Sequence, residues 1–165
     1  MTRLLLALSL LLVAAAPVRS AETLALLPFA LENTSLEPDR PDELARIDML
    51  DEVAGARLRE AGFELVDTAP VAEEVAAMSS IRGCNGCEIP LGRKLGTALI
   101  GFGWVQKVSN LILNINMVVR DVDTGRLVAA GSVDIRGNTD ESWRRGVVYL
   151  LDHRILPALK QRAGP

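Results

Sequence analysis

Residues 111–136, LILNINMVVRDVDTGRLVAAGSVDIR, contain the pattern that decides the fold. In the first half of this stretch, apolar side chains at odd positions alternate with a mixed set at even positions, and the second half alternates in the same way. Such alternation is typical of a strand with one buried face. The Asp-Thr-Gly run between the halves is typical of a turn. The stretch therefore predicts two antiparallel strands, Leu111–Asp121 and Leu127–Arg136.

The segments on either side extend this hairpin into a whole domain. A helix begins at Pro41 and ends at Gly62, and a last helix begins at Asn138, which we expect to cap it with Glu141 as capping-box partner. The remaining elements are short: strands Leu24–Phe29, Phe63–Val66 and Ala98–Val105, a helix capped by Thr68, a helix Glu88–Leu95, and a loop Glu32–Arg40. The order βαβα(α)βββα predicts a single-domain α/β sandwich, a mixed sheet with a C-terminal antiparallel meander and helices packed on it.

The first twenty residues have the pattern of a secretory signal peptide. Arg3 precedes a predominantly apolar run, Leu4–Ala16, which is shorter than the roughly 20 residues of a membrane-spanning helix. We expect cleavage near Ser20-Ala21, so that residues 1–20 are the signal and residues 21–165 form one periplasmic domain. An uncleaved N-terminal anchor is the alternative. No second hydrophobic stretch in the sequence approaches membrane-spanning length.

Composition narrows the chemistry of the domain. The chain has one His (His153), two Cys, and 18 basic against 21 acidic residues, for a formal charge of −3. A structural zinc site lacks ligands, a His-based triad has a single candidate imidazole, and no basic field for nucleic acid is present. Asp123-Thr124-Gly125 matches the aspartic-protease tripeptide, but that dyad needs two such loops. We therefore expect no enzyme activity, no cofactor and no metal site.

The two cysteines, Cys84 and Cys87, are the strongest chemical signal in the sequence. In an oxidising compartment, cysteines at this spacing are expected to form a disulfide, which would be a small structural staple. The alternative is a redox-active pair, because Cys87 precedes a predicted helix whose dipole would lower the pKa of its thiol. Attachment of haem would need His after the second cysteine, where Glu88 stands.

Two groups of polar residues are candidate binding sites. Asn114 and Asn116 share one face of a predicted strand, opposite Ser132 and Asp134 in a simple register, and this face is either a solvated surface or a site for a small polar ligand. The segment 136–145 is dense in polar side chains. It is explained either by helix capping, with Trp143 in the core, or by an interaction surface, because Trp and Arg are frequent in binding hot spots. That candidate surface consists of Arg136, Asn138, Asp140, Trp143 and Arg144.

The order of motifs resembles that of known bacterial envelope domains. Cys-Asn-Gly-Cys at 84–87, Leu-Gly-Arg-Lys-Leu-Gly at 91–96, Asn-Ile-Asn at 114–116 and Asp-Val-Asp-Thr-Gly at 121–125 resemble the periplasmic domain of the curli-secretion channel and the N-terminal domain of the Tol translocation protein. The runs 106–116 and 134–143 more closely resemble a family of proteobacterial periplasmic proteins of unestablished function. The resemblance implies fold, compartment and a role in binding or envelope assembly, and supplies no catalytic residues. The lipidated cysteine and membrane-inserting hairpins of the curli channel are missing, so it does not imply pore formation.

These observations predict an exported periplasmic binding or accessory protein of the cell envelope. Its expected partner is an envelope protein rather than nucleic acid. The alternatives are a thiol-disulfide redox partner that uses the CxxC pair and a sensor of a small polar ligand.

Overall fold

The computed structural model describes residues 21–162, so the predicted signal peptide lies outside the described residues. The chain forms six strands: β1 (Thr23–Leu26), β2 (Ala30–Asn33), β3 (Glu64–Leu65), β4 (Leu99–Lys107), β5 (Ile112–Asp121) and β6 (Leu127–Arg136). It also forms five α-helices: α1 (Pro41–Glu60), α2 (Ala72–Ala76), α3 (Glu88–Leu95), α4 (Asp140–Leu150) and α5 (Leu156–Arg162). Short 3₁₀ turns, Ala69–Val71 and Arg82–Cys84, precede α2 and α3, and a π-helical turn, Leu151–Ile155, joins α4 to α5.

The strands form one mixed sheet, which confirms the predicted fold class. The order is β3-β1-β4-β5-β6, with β2 also paired to β4. Strands β1, β2 and β3 run parallel to their neighbours, whereas β4, β5 and β6 form the antiparallel meander. The pairing of β5 with β6 sets Asn114 opposite Asp134 and Asn116 opposite Ser132. This is the simple register that the sequence pattern predicts.

The first strand is interrupted where the sequence predicts a continuous run. Strand β1 ends at Leu26, before the predicted end at Phe29, and β2 (Ala30–Asn33) includes the first two residues of the loop predicted to begin at Glu32. The break has a physical cause. Pro28 has no amide to donate, and the Phe29 amide donates to Asp51 Oδ1 at 2.8 Å, outside the sheet. The Phe29 ring lies against Gly103, where an added Cβ would come within 2.1 Å of a ring carbon.

Helices cover the two faces of the sheet unequally. On one face α1, α4 and α5 bury the larger core, which includes Leu50, Ile115 and Trp143. On the other face a smaller cluster that includes Ile89 and Ile100 packs under α3 and the turn before α2. Helix α3 and this turn do not extend over the whole of the antiparallel meander. One end of the sheet therefore has a face without helices, on which Ser132 and Asp134 are exposed.

The helix ends differ in part from the sequence prediction. Helix α1 begins at Pro41 and is followed by Gly62 at φ +95°, as predicted. Thr68, however, has a helical backbone and makes no side-chain cap, and Asp67 Oδ1 accepts the Ala69 amide instead. The cap of α4 is Thr139 rather than Asn138, because Thr139 Oγ1 accepts the Ser142 amide at 3.3 Å. The predicted capping box of Asn138 and Glu141 is therefore wrong.

Candidate functional site

The polar segment before α4 is directed partly into the protein. Trp143 is fully buried, and its Nε1 donates to Asn138 Oδ1 at 2.9 Å. The same oxygen accepts from Arg46 Nη1 at 3.1 Å, so the Asn138 amide is occupied by internal partners. The prediction of Trp143 as a contact residue of an interaction surface is therefore corrected, because a side chain without exposed area cannot contact a partner directly.

A buried ion pair lies beneath this segment. Lys107 and Glu43 are both inaccessible to solvent, and Lys107 Nζ lies 2.6 Å from Glu43 Oε1. Asn138 Nδ2 donates to the same oxygen at 2.6 Å, and the Arg40 amide donates to Oε2 at 3.0 Å. Burial alone would raise the pKa of Glu43. The hydrogen bonds from Lys107, the Arg40 amide and Asn138 outweigh burial and hold that pKa below its ordinary value.

The exposed part of the segment forms no continuous site. Arg46 Nε pairs with Asp140 at 2.7 Å, and Arg46 Nη2 pairs with Asp42 at 2.8 Å. Asp140 therefore pairs with Arg46 on the solvent side of the buried hydrogen-bond network. Arg136 and Arg144 are exposed to solvent. Sequence reasoning could not find the pair of Glu43 and Lys107, because the two residues are far apart in the chain and only the fold brings them together.

The bare half of the sheet presents polar side chains in rows across the strands. We call Trp104, Gln106, Asn114, Asn116, Ser132 and Asp134 the open sheet face, since pairing in the meander sets Gln106 beside Asn114 and Asp134, and Trp104 beside Asn116 and Ser132. Asn114 Nδ2 donates to Asp134 Oδ1 at 2.7 Å, and Ser132 Oγ donates to Asn114 Oδ1 at 3.0 Å. The structure therefore brings together the three residues of the predicted ligand face, Asn114, Asn116 and Asp134, of which Asn116 is buried.

A tryptophan and an arginine border the open sheet face. The Arg82 guanidinium lies 5.3 Å from the centroid of the Trp104 ring and also pairs with Glu32 at 3.0 Å. Trp104 Nε1 is buried and has no hydrogen-bond partner among residues 21–162. Sequence reasoning missed this border, because Arg82 lies in an irregular segment and only the fold places it over β4. The signal that could have indicated Trp104 is its alternation with the buried Val105.

The cysteines lie beyond this border, on the same side of the sheet as α3. Cys84 and Cys87 form a disulfide with a Cα–Cα distance of 5.6 Å. Asn85 and Gly86 between them both have positive φ, 55° and 109°, the combination of a tight turn. Both cysteines are half-buried. His153, the one imidazole, is exposed and packs against Tyr149 with ring centroids 4.4 Å apart, which agrees with a structural role.

A cleft at the carboxyl ends of β1 and β3 holds a perturbed carboxyl. It is lined by Pro28, Asp51, Gly55, Arg59 and Asp67, among other residues. Burial raises the pKa of Asp51 to about 6, the Phe29 amide opposes the shift, and Asp48 adds to it. Asp51 accepts a hydrogen bond from that amide in the folded state, so its carboxyl has a structural function at the break between β1 and β2.

No helix among residues 21–162 has the length and apolar character needed to cross a membrane.

The fold and its sites define a class: a small α/β domain with a mixed sheet, a covered face and a partly open face. The chain belongs to the DUF3280 family, described as "Protein of unknown function (DUF2380)", whose model matches residues 22–155. This confirms the predicted membership in a family of unestablished function. No curated protein matches the sequence.

Several solved structures share the fold at low sequence identity. Lipoprotein GNA1162 from Neisseria meningitidis is 16% identical, with a TM-score of 0.53 over 86% of this chain and 96% of that chain. The C-terminal domain of LpoB from Salmonella enterica is 15% identical, with a TM-score of 0.51 over 74% of this chain and 87% of that one. TolB from Acinetobacter baumannii is 12% identical, with a TM-score of 0.51 over 88% of this chain and 29% of TolB. These likenesses show the fold and confirm the distant similarity to the Tol protein.

Proposed function

We propose that this protein is an exported, periplasmic accessory protein of the cell envelope that binds a partner protein through its open sheet face. The observation that carries the proposal is the set of polar side chains arranged in cross-strand rows on a half-sheet that no helix covers. The signal-peptide pattern of residues 1–20 supports export. The shared fold of a Neisseria lipoprotein supports an envelope location.

The geometry of the face favours a macromolecular partner over a small ligand. Small-molecule sites are concave and largely apolar, with a few converging polar groups. Here Asn114, Ser132 and Asp134 lie on adjacent strands of one sheet surface, and their side chains form hydrogen bonds with one another. Trp104 and Arg82, residue types frequent in binding hot spots, stand at one border. Such a surface resembles the polar part of a protein interface more than a pocket.

Site-specific photocrosslinking in living cells tests the proposal. A photoreactive amino acid at Ser132, which is exposed on the open sheet face, should give a discrete protein adduct. The same probe at Leu44, exposed on α1, is the positional control. The adduct should disappear when Asn114 and Asp134 are both replaced by alanine.

A matched double variant controls for a general loss of surface polarity. Glu141→Ala with Arg145→Ala removes an exposed ion pair on α4, away from the open sheet face, and should leave the Ser132 adduct intact. Equal adducts from Ser132 and Leu44, or none from Ser132, would contradict the proposal. Binding of a small polar molecule by the wild type alone, without a protein adduct, would favour the sensor alternative.

The thiol-disulfide alternative is tested on the same purified protein. It is favoured by one observation, the Cys87 amide that donates to Cys84 Sγ at 3.3 Å, since such a bond stabilises a thiolate. A reduction potential well below about −300 mV is expected for a structural disulfide, and a value near those of disulfide oxidoreductases would favour the redox alternative.

A further inference from the structure

Three sulfur atoms lie together at the start of α3. Met78 Sδ is 3.4 Å from Cys87 Sγ, and Cys87 is joined to Cys84 in the disulfide. All three residues are half-buried, so the group is open to small solutes on one side. Thiolate and thioether sulfurs are the soft donors that select Cu(I) over harder cations.

Local backbone features are expected to keep the two cysteines close once the disulfide is reduced. Asn85 and Gly86 adopt the two successive positive φ angles of a type I′ turn, and Asn-Gly is the residue pair that favours this turn. The Cys87 amide donates to Cys84 Sγ, and this bond would stabilise a thiolate there once the disulfide is reduced. Because these features are local and use no cross-link, the reduced pair should keep both thiols on the same side of the turn.

We propose that the reduced protein binds one Cu(I) ion through Cys84, Cys87 and Met78. A dithiol reductant first transfers two electrons and two protons to the disulfide, which gives two cysteine thiols and leaves the reductant as its own disulfide. Each thiol then releases its proton to solvent as a copper–sulfur bond forms. The Met78 thioether donates a lone pair and changes neither its charge nor its oxidation state. Copper remains Cu(I) throughout. A disulfide oxidant that accepts two electrons and two protons from the thiols restores the Cys84–Cys87 bond, is itself reduced to thiols, and removes the site.

Glu88 distinguishes a Cu(I) site from a site for a harder cation. One of its carboxylate oxygens lies within 4.8 Å of both cysteine sulfurs, and the side chain is only 1% exposed. Arg120 Nε lies 2.9 Å from Glu88 Oε1, whereas Glu88 Oε2 has no hydrogen-bond partner among the described residues. A divalent cation would recruit this oxygen, while Cu(I) would use the thioether. Arg120 neutralises the Glu88 carboxylate, so this pair adds no net negative charge beside a dithiolate copper site.

The experiment uses the exported protein, reduced under anaerobic conditions and freed of reductant. Cu(I) is supplied as a complex with a chromophoric bidentate chelator, and transfer to the protein is followed by loss of that colour. The wild type should take up one equivalent, and both the oxidised protein and Cys84→Ser/Cys87→Ser should take up none. Met78→Leu should weaken binding by about tenfold or more, since even the outer partners of metal sites have effects of that size.

Matched variants separate the assignment from its competitors. Met49→Leu changes a methionine that packs on the larger core, and it should leave copper uptake unchanged. Glu88→Gln removes a negative charge near the sulfurs and should not weaken copper uptake, with thermal melting used to show that each variant is folded. X-ray absorption of the loaded wild type should show three sulfur neighbours, and two in Met78→Leu. An affinity that falls with Glu88→Gln but not with Met78→Leu, or no uptake by the wild type, would overturn the proposal.

Discussion

Replacing Lys107 by methionine tests the buried ion pair directly. The change keeps the unbranched shape and most of the length of the side chain and removes its charge, so that Glu43 stays buried with only the Arg40 amide and Asn138 as close donors. Both members of the pair are 0% exposed, and their charged atoms are 2.6 Å apart. Removing one partner of a buried pair costs about 3–5 kcal/mol. That loss is a large part of the 5–15 kcal/mol by which a typical domain is stable, taken as about 10.

Urea unfolding at several pH values measures this loss. Glu43→Gln with Lys107→Met should cost less than the sum of the single changes, because the double variant leaves no charge uncompensated. The exposed pair Glu141–Arg145 is the matched control, and breaking it should cost about 0–1 kcal/mol.

The sign of the pH dependence follows from Glu43. In the wild type its pKa is lowered, so its contribution to stability is present at neutral pH and is lost as the pH falls through that lowered pKa. In the Lys107→Met variant, fewer hydrogen-bond donors oppose the effect of burial on the pKa of Glu43. Protonation of Glu43 then removes the uncompensated buried charge. The deficit of Lys107→Met should therefore shrink in acid. A deficit below about 1 kcal/mol at neutral pH, or one that does not change with pH, would refute this reasoning.

Three further changes test other parts of the fold. Burial raises the pKa of Asp51 to about 6, so its ionisation destabilises the folded state as the pH rises through that value. Asp51→Asn keeps an oxygen acceptor but removes the ionisation. Because Asp51 is partly exposed, the change should raise the free energy of unfolding by only about 1–2 kcal/mol at pH near 7. It should have no effect below about pH 4, and denaturant titration at both pH values would measure the difference. Gly103→Ala, whose Cβ would come within 2.1 Å of the Phe29 ring, should cost about 1–3 kcal/mol by thermal melting, whereas Gly101→Ala, with its nearest neighbour at 3.4 Å, should cost less. Thr139→Ala should cost about 1 kcal/mol in the same assay by removing the cap of α4, and no loss would argue against that cap.

The sequence predicted the meander well because its signals are local. Alternation with a period of two defines β5 and β6 individually, and matching their buried faces gives the register that sets Asn114 opposite Asp134. An irregularity at Val119/Arg120 shifts this register by one residue relative to the pair beside the turn. The break between β1 and β2 could not be predicted in this way. It depends on a hydrogen bond between Phe29 and Asp51, 22 residues apart, and on room for the ring at Gly103.

The polar segment before α4 also could not be predicted from local sequence patterns. Asn138 and Glu141 have the spacing of a capping box, and a local pattern favours a local partner. In the structure, the partners of Asn138 include Glu43 and Arg46, more than 90 residues away. These long-range hydrogen bonds take the Asn138 side chain away from the helix end, and Thr139 caps the helix instead.

The buried pair and the open sheet face are neighbours through the backbone. Lys107 and Gln106 are adjacent at the end of β4, so their side chains point to opposite faces of the sheet. The loop that follows β4 is held on the buried side, because Asn110 Oδ1 accepts from Asn138 Nδ2 at 3.2 Å and Asn138 in turn binds Glu43. Loss of the Lys107 charge should therefore loosen this end of β4.

This proximity leads to a functional prediction that rests on the proposed partner binding. Lys107→Met, studied at a temperature where it remains folded, should weaken the photocrosslink from Ser132 although Lys107 cannot touch a partner. Gly103→Ala serves as the comparison, since it destabilises the fold elsewhere along β4. If both variants are matched in the fraction folded and lose the adduct equally, the effect is one of global stability. If Lys107→Met alone loses it, the buried pair positions the strand end that presents the open sheet face.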